Sequence, residues 1–191
     1  MQALSLSNKI ATQRESINSS CNGYVSYDAV SSLRREGWVC FTRLAAGSWL
    51  PKTRKQVTKI WERLYIGSLK DAEQLARSNP QRITTVVSLC REQAVHRAPK
   101  ITYIHIPISD SRPISAQKFE DIMFAMAIGV RRGNLLVHCL AGLSRSPILI
   151  AAWLDRCGYA GIEKALSEIA ELRDLAPSHT LLRSVKDLLS K

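Results

Sequence analysis

From Val57 onward, short β-branched runs alternate with longer stretches whose apolar residues recur every three or four positions. Residues 63–67 (RLYIG) predict a short strand closed by glycine. Residues 69–78 have helical spacing at Leu69, Ala72, Leu75 and Ala76, halted at Asn79-Pro80. Residues 83–89 (ITTVVSL) are β-branched and mostly apolar, which predicts a buried strand. Residues 101–106 (ITYIHI) form another, ended by Pro107. Ser115 can cap a helix with Phe119, Ile122, Met123, Met126, Ala127 and Val130 on one face, and Gly133 ends it. A strand at 135–138 and helices at 146–156, 162–173 and 179–190 complete the pattern. Such alternation predicts a three-layer α/β domain, its central, mostly parallel sheet of four to five strands flanked by helices.

Residues 1–56 differ from the rest. They are rich in Ser and Asn, lack sustained periodicity, and hold eight Lys/Arg against three Asp/Glu. They read as an N-terminal extension outside the domain, which spans 57–191. A disordered tail is the favoured reading of the extension. A targeting peptide for an organelle and a start assigned too early are its alternatives. The aromatics Trp38, Phe41 and Trp49 leave open a satellite cluster on the domain.

The net charge of +11 and pI of about 9.8 favour anionic partners: phosphorylated protein, phospholipid or nucleic acid. Nucleic acid is disfavoured, because no basic patch is interleaved with aromatics. No apolar run approaches the ~18 residues of a membrane span. The five cysteines are Cys21, Cys40, Cys90, Cys139 and Cys157, an odd number at irregular spacing. Without a visible secretory signal, they argue for free thiols in a reducing, cytoplasmic setting. No CxxC pair occurs, and His138-Cys139 has no second ligand pair to make a zinc site.

The densest chemistry lies at 137–147, VHCLAGLSRSP, between the strand 135–138 and the helix after it. In an α/β sheet, ligands collect at the C-terminal strand ends, where helix N-termini point. A turn there aims backbone N–H groups at one point, and the helix dipole adds positive potential. Gly142 allows a conformation closed to other residues, and Pro147 suits the first turn of the helix. This is a cradle for an oxyanion, built from Leu140, Ala141, Gly142, Leu143, Ser144 and Arg145. At its rim, Cys139 has the surroundings that lower a thiol pKa to about 3.5–7.5. Arg145 can clasp two phosphate oxygens with its planar fork. A thiolate beside a receptor for a tetrahedral anion suits attack by sulfur on phosphorus. The GxSxG elbow of serine hydrolases is not met, since Ser146 stands where its second glycine belongs, and the Walker pattern is absent.

HCLAGLSRS resembles the HCxxGxxRS signature of the cysteine-dependent protein tyrosine phosphatase superfamily, in the AGxSRS form of dual-specificity phosphatases. LYIGSLKDA resembles that family's opening strand and helix, VVSLC its second core strand, and HIPISDS its general-acid loop. Arg173, Pro177 and Ser178 resemble its penultimate loop, with Ser178 in place of the asparagine common there. The likeness spans about residues 57–191.

The resemblance implies a cysteinyl-phosphate intermediate on Cys139, oxyanion stabilisation by the 140–145 backbone and Arg145, and no metal or cofactor. It makes Asp110, 29 residues before the cysteine, the general acid, with Glu92, Glu120 and Asp121 as fallbacks. Ser146 would ease departure of the thiolate, and His138 would support the loop from beneath. Cys90, at the end of the 83–89 strand, is a candidate redox partner for Cys139, against the alternative of a buried core thiol. The expected substrates are phosphoproteins carrying phosphotyrosine or phosphoserine/phosphothreonine. The alternatives are a phosphoinositide, an RNA 5′-phosphate, or phosphate binding without turnover. A rhodanese-like sulfurtransferase is the remaining rival.

Overall fold

The computed structural model describes residues 57–190. The extension 1–56, with Cys21, Cys40 and its three aromatics, lies outside the described residues. Five strands form one sheet: β1 (Thr58–Trp61), β2 (Leu64–Ser68), β3 (Ile83–Ser88), β4 (Thr102–His105) and β5 (Asn134–Cys139). Their spatial order is β1-β2-β5-β3-β4, with β1 antiparallel to β2 and every other pair parallel. The helices are α1 (Leu69–Gln74), α2 (Ala116–Arg132), α3 (Arg145–Arg156), α4 (Ile162–Leu172) and α5 (His179–Leu189). This is the expected mostly parallel α/β sheet, and the strand read last in the sequence lies at its centre.

Alternate residues of the central strands face opposite layers, as a two-residue period requires. Leu64, Ile66, Val87, Leu135 and Val137 join the side chains of α2, α3, α4 and α5 in the main core. Tyr65, Ile83, Val86 and Leu136 join Ala72, Leu75 and Ile101 on the other face. The layers are therefore unequal: four helices on one side, and α1 with its following chain on the other. Helix α3 is buried from Ser146 to Leu154, enclosed by sheet and helices alike.

Two elements depart from the sequence pattern. Strand β1 is an antiparallel edge that the periodicity of 63–67 did not separate. The chain reverses at Glu62-Arg63, and Trp61 packs edge-on against Trp153 of α3 at 5.8 Å. Helix α1 ends at Gln74 rather than near Ser78. Ala76 and Arg77 donate instead to the carbonyls three residues back, at 3.3 and 2.9 Å, so the chain leaves the helix through a tightened turn. Asn79 then staples the entry to β3, its side chain donating to the Ile83 carbonyl at 2.9 Å and accepting from the Ile83 N–H at 2.7 Å.

His138, 1% exposed, sits within central β5. Its Nδ1 lies 3.2 Å from the Cys139 carbonyl oxygen, which can only accept, so Nδ1 carries the proton. Burial drives its pKa down from 6.5 to about 4, against smaller upward pulls from that carbonyl and Asp71. The imidazole is neutral at ordinary pH. Below pH 6.5 the unfolded chain takes up a proton that the folded chain refuses until about pH 4. Stability contributed by the neutral ring is thus complete above pH 6.5 and falls away between pH 6.5 and 4, by on the order of 3 kcal/mol. Urea unfolding at pH 7 and pH 4.5 should show the loss, and His138→Asn should remove much of it. An identical pH dependence in the variant would place the acid sensitivity elsewhere.

Candidate active site

Strand β5 delivers Cys139 to the C-terminal edge of the sheet, between β2 and β3. The parallel register sets Ser68 beside Cys139 and Ser88 beside His138. Beyond Cys139 the chain turns through 140–144 into α3. Gly142 makes the turn with φ +71. A side-chain carbon there would fall 2.5 Å from the Gly67 carbonyl oxygen and 2.7 Å from Arg173 Nη2, so both conformation and space demand glycine. The turn is tied at both flanks. Leu69 N–H donates to the Leu140 carbonyl at 3.1 Å, and Ala176 N–H donates to the Leu143 carbonyl at 2.9 Å.

The Cys139 thiol is 2% exposed. Burial raises its pKa, but the Ser146 hydroxyl, the Ser146 and Gly142 backbone amides and the Arg145 charge together bring it below the ordinary thiol value. The Ser146 Oγ is buried and has no other hydrogen-bond partner at standard geometry, so its influence is spent on the sulfur. Arg145 opens α3 and donates a long 3.4 Å hydrogen bond from Nη1 to the Ile108 carbonyl, while its Nε–H is buried without a partner.

Asp110 is exposed, yet it is tied to the turn: Ser144 Oγ donates to Asp110 Oδ1 at 2.5 Å. Two of the fallback carboxylates have partners on the helices. Glu120 accepts two hydrogen bonds from Arg156 at 2.6 and 2.7 Å, and Asp121 accepts from Gln117 at 2.8 Å. Glu92 is exposed and offers its backbone carbonyl to the Cys90 thiol at 3.4 Å. Cys90 itself is fully buried just past β3, where Leu89 N–H donates to the His138 carbonyl at 2.9 Å. Burial raises the Cys90 pKa, and charge on Cys139 raises it further, so the two thiols lie within electrostatic reach. Both are free. Cys157 is half-buried, and burial lifts its thiol to about 11.

Three supports had no role assigned from the sequence. Arg173, singled out only by its likeness to a loop, donates from Nη1 to the Ile66 carbonyl at 3.2 Å and lies beneath Gly142. Burial lowers its pKa, with Asp71 and Cys139 opposing that pull. Asp71 forms a capping box with Ser68, accepting from its backbone N–H at 2.7 Å and its hydroxyl at 2.8 Å. The spacing Ser68-x-x-Asp71 was the available signal for that box. Gly67 brings its carbonyl against the turn, and no local pattern marks a contact across so long a stretch of chain. Among the described residues, no group of three or more His, Cys, Asp or Glu side chains could hold a metal ion, and no helix is long and apolar enough to cross a membrane.

The chain matches the family model for the dual specificity phosphatase catalytic domain over residues 64–188. It is 32% identical to human dual specificity protein phosphatase 15 over 120 residues, 59% of this chain and 39% of that protein. Against the zebrafish (Danio rerio) dual specificity protein phosphatase 22-B it is 34% identical over 129 residues, 65% of this chain and 68% of the relative. The chain spans only 39% to 52% of the human, mouse and rat dual specificity protein phosphatase 15 sequences. Among solved structures, a mouse putative dual specificity phosphatase complexed with zinc tungstate superposes with a TM-score of 0.62 at 25% identity, covering 78% of this chain and 93% of that one. Dual specificity phosphatase 15 superposes with a TM-score of 0.58 at 28% identity, covering 70% and 85%. With its cysteine turn at the head of a central parallel strand and a family match over most of the described residues, the chain belongs to the dual specificity phosphatase catalytic domain family.

Proposed function

We propose that this chain is a cysteine-dependent phosphatase of phosphorylated proteins, acting on phosphotyrosine and on phosphoserine or phosphothreonine. One observation carries the reading: a thiol held below its ordinary pKa shares a turn with a buried, unpartnered guanidinium N–H, and the same turn holds a carboxylate. In the first displacement Cys139 Sγ attacks phosphorus, the S–P bond forms, and the ester P–O bond breaks as Asp110 protonates the departing oxygen. In the second, water attacks phosphorus, Asp110 takes its proton, and the S–P bond breaks. The Ser146 hydroxyl receives the returning thiolate. The turn amides and Arg145 meet the charge on the phosphoryl oxygens, and the orphaned Arg145 Nε–H gains an acceptor. His138, neutral and engaged with the Cys139 carbonyl, supports the turn and carries no substrate proton. The turn interior has no lysine to meet the extra phosphates of a phosphoinositide, which favours phosphoprotein.

Cys139→Ser should reduce hydrolysis of p-nitrophenyl phosphate to background while phosphate still binds. Arg145→Lys should lower kcat/KM by at least about 100-fold, since one lysine cannot replace the two-pronged contact. Substantial turnover by the serine variant would sink the mechanism. Thiosulfate sulfurtransfer in place of ester hydrolysis would replace it.

Asp110→Asn should slow aryl phosphates with poor leaving groups by about 100-fold or more, and those with good leaving groups much less. Equal losses across the series would remove Asp110 from proton transfer.

Cys90 is proposed as a guard for Cys139. Peroxide oxidises the Cys139 thiolate to a sulfenic acid, and the Cys90 thiol condenses with it, forming a disulfide and releasing water. Treatment with peroxide followed by thiol reductant should restore activity in the native chain. The Cys90→Ser variant should recover much less. Unchanged recovery, together with no Cys90–Cys139 linked peptide by mass spectrometry, would leave Cys90 as a core thiol.

A further inference from the structure

Among the described residues, four of the five helices begin at a serine N-cap, and one of those serines behaves differently. Ser68, Ser115 and Ser178 each accept a hydrogen bond from the backbone N–H three residues on, at Asp71, Lys118 and Leu181. Ser144 precedes α3 and makes no such cap. A serine cap stabilises a helix N-terminus, and α3 forgoes it. The Ser144 hydroxyl is 7% exposed and its contacts are settled. The Ser178 N–H donates to Ser144 Oγ at 3.0 Å, which occupies one face of the oxygen. The only hydroxyl proton therefore goes the other way, to Asp110 Oδ1 at 2.5 Å. Ser178 is fixed in turn, because its own hydroxyl caps α5 at Leu181. A relay thus runs from the start of α5, through the cysteine turn, to the exposed loop that carries Asp110.

We infer that Ser144 is a positioning residue that docks the Asp110 carboxylate at the mouth of the cradle, with Ser178 setting the direction of its hydroxyl. This rests on the proposed function above and adds how the acid is placed. The loop that carries Asp110 is anchored on either side of it, Ile108 N–H donating to the Leu89 carbonyl at 3.1 Å and Ile114 exchanging hydrogen bonds with the Ser184 hydroxyl, while the exposed carboxylate itself is bonded by Ser144 Oγ. A hydrogen bond to a carboxylate is worth more than one between neutral groups. A side chain tied at one end samples far fewer positions than a free loop residue. The arrangement presets the acid in the absence of substrate, so proton transfer need not await closure of a loop.

The test uses the full chain and a series of aryl phosphates spanning leaving-group pKa. Ser144→Ala should lower kcat/KM about tenfold or more for phenyl phosphate, the magnitude of one charge-assisted hydrogen bond. It should change it about twofold or less for the best leaving groups, which need no acid. Competitive inhibition by inorganic phosphate should stay within about twofold, because position 144 offers the cradle its backbone N–H and the substitution removes only the hydroxyl turned to Asp110. In an Asp110→Asn background, Ser144→Ala should add no further leaving-group dependence. Ser144→Thr, which keeps the hydroxyl, should recover most of the loss. If Ser144→Ala slows every ester equally and weakens phosphate inhibition, the hydroxyl merely shapes the cradle and the inference is overturned. If it leaves the leaving-group series unchanged, Asp110 is held by other means and the inference is overturned as well. Should the native chain fail to hydrolyse any ester in a Cys139-dependent way, the proposed function itself fails, and that outcome is told apart by the Cys139→Ser control.

Discussion

Gly142 turns with φ +71 at a point where any side-chain carbon would fall 2.5 Å from the Gly67 carbonyl oxygen. That close approach ties the cysteine turn to the end of β2, while β5 holds the other side of it through the parallel ladder. The Arg173 guanidinium fills the space beneath and bonds the Ile66 carbonyl. Everything above the turn inherits its position from this packing. The sulfur, the α3 N-terminus and the Ser144 hydroxyl are all displayed by one short segment with no freedom to drift.

The polar groups around that segment form connected sets rather than isolated contacts. Asp71 caps α1 with Ser68 and acts electrostatically on both His138 and Arg173. Ser178 caps α5 and feeds Ser144, which reaches Asp110. Buried polar groups are costly when unpaired, so the few left over are informative. Arg145 Nε and Ser146 Oγ are two of them, and both border the cradle. An anion and a thiolate are the partners their chemistry favours.

Burial acts on His138 and on the neighbouring Cys139 in the same manner, opposing charge on each. The outcomes differ because their surroundings differ. The imidazole meets a single carbonyl and little compensating charge, so it stays neutral. The thiol faces a hydroxyl, two amides and a guanidinium, so it ionises more readily than an ordinary thiol despite desolvation. Adjacent residues on one strand point to opposite faces, which is how two such environments coexist side by side.

Local chemistry made much of this legible in the sequence. The strand at 83–89, the long helix capped by Ser115 and ended by Gly133, and the turn carrying Cys139, Gly142 and Arg145 all follow from residue type and spacing, because period, cap and glycine conformation act over a few positions. The antiparallel edge β1 and the early end of α1 were not legible. Each depends on contacts to distant residues or on the tightening of a last turn before Pro80. The order β1-β2-β5-β3-β4 likewise belongs to tertiary structure, since no local signal says that β5 inserts between β2 and β3. Asp110 was reached through resemblance alone; only the fold sets its carboxylate against Ser144, 34 residues away. The Gly67 carbonyl and the Arg173 side chain meet at Gly142 from three separate elements, and no sequence period encodes such a meeting. Short-range conformational preference wrote the elements and the nucleophile's turn, whereas the long-range packing that closes the chain decided which groups that turn would face.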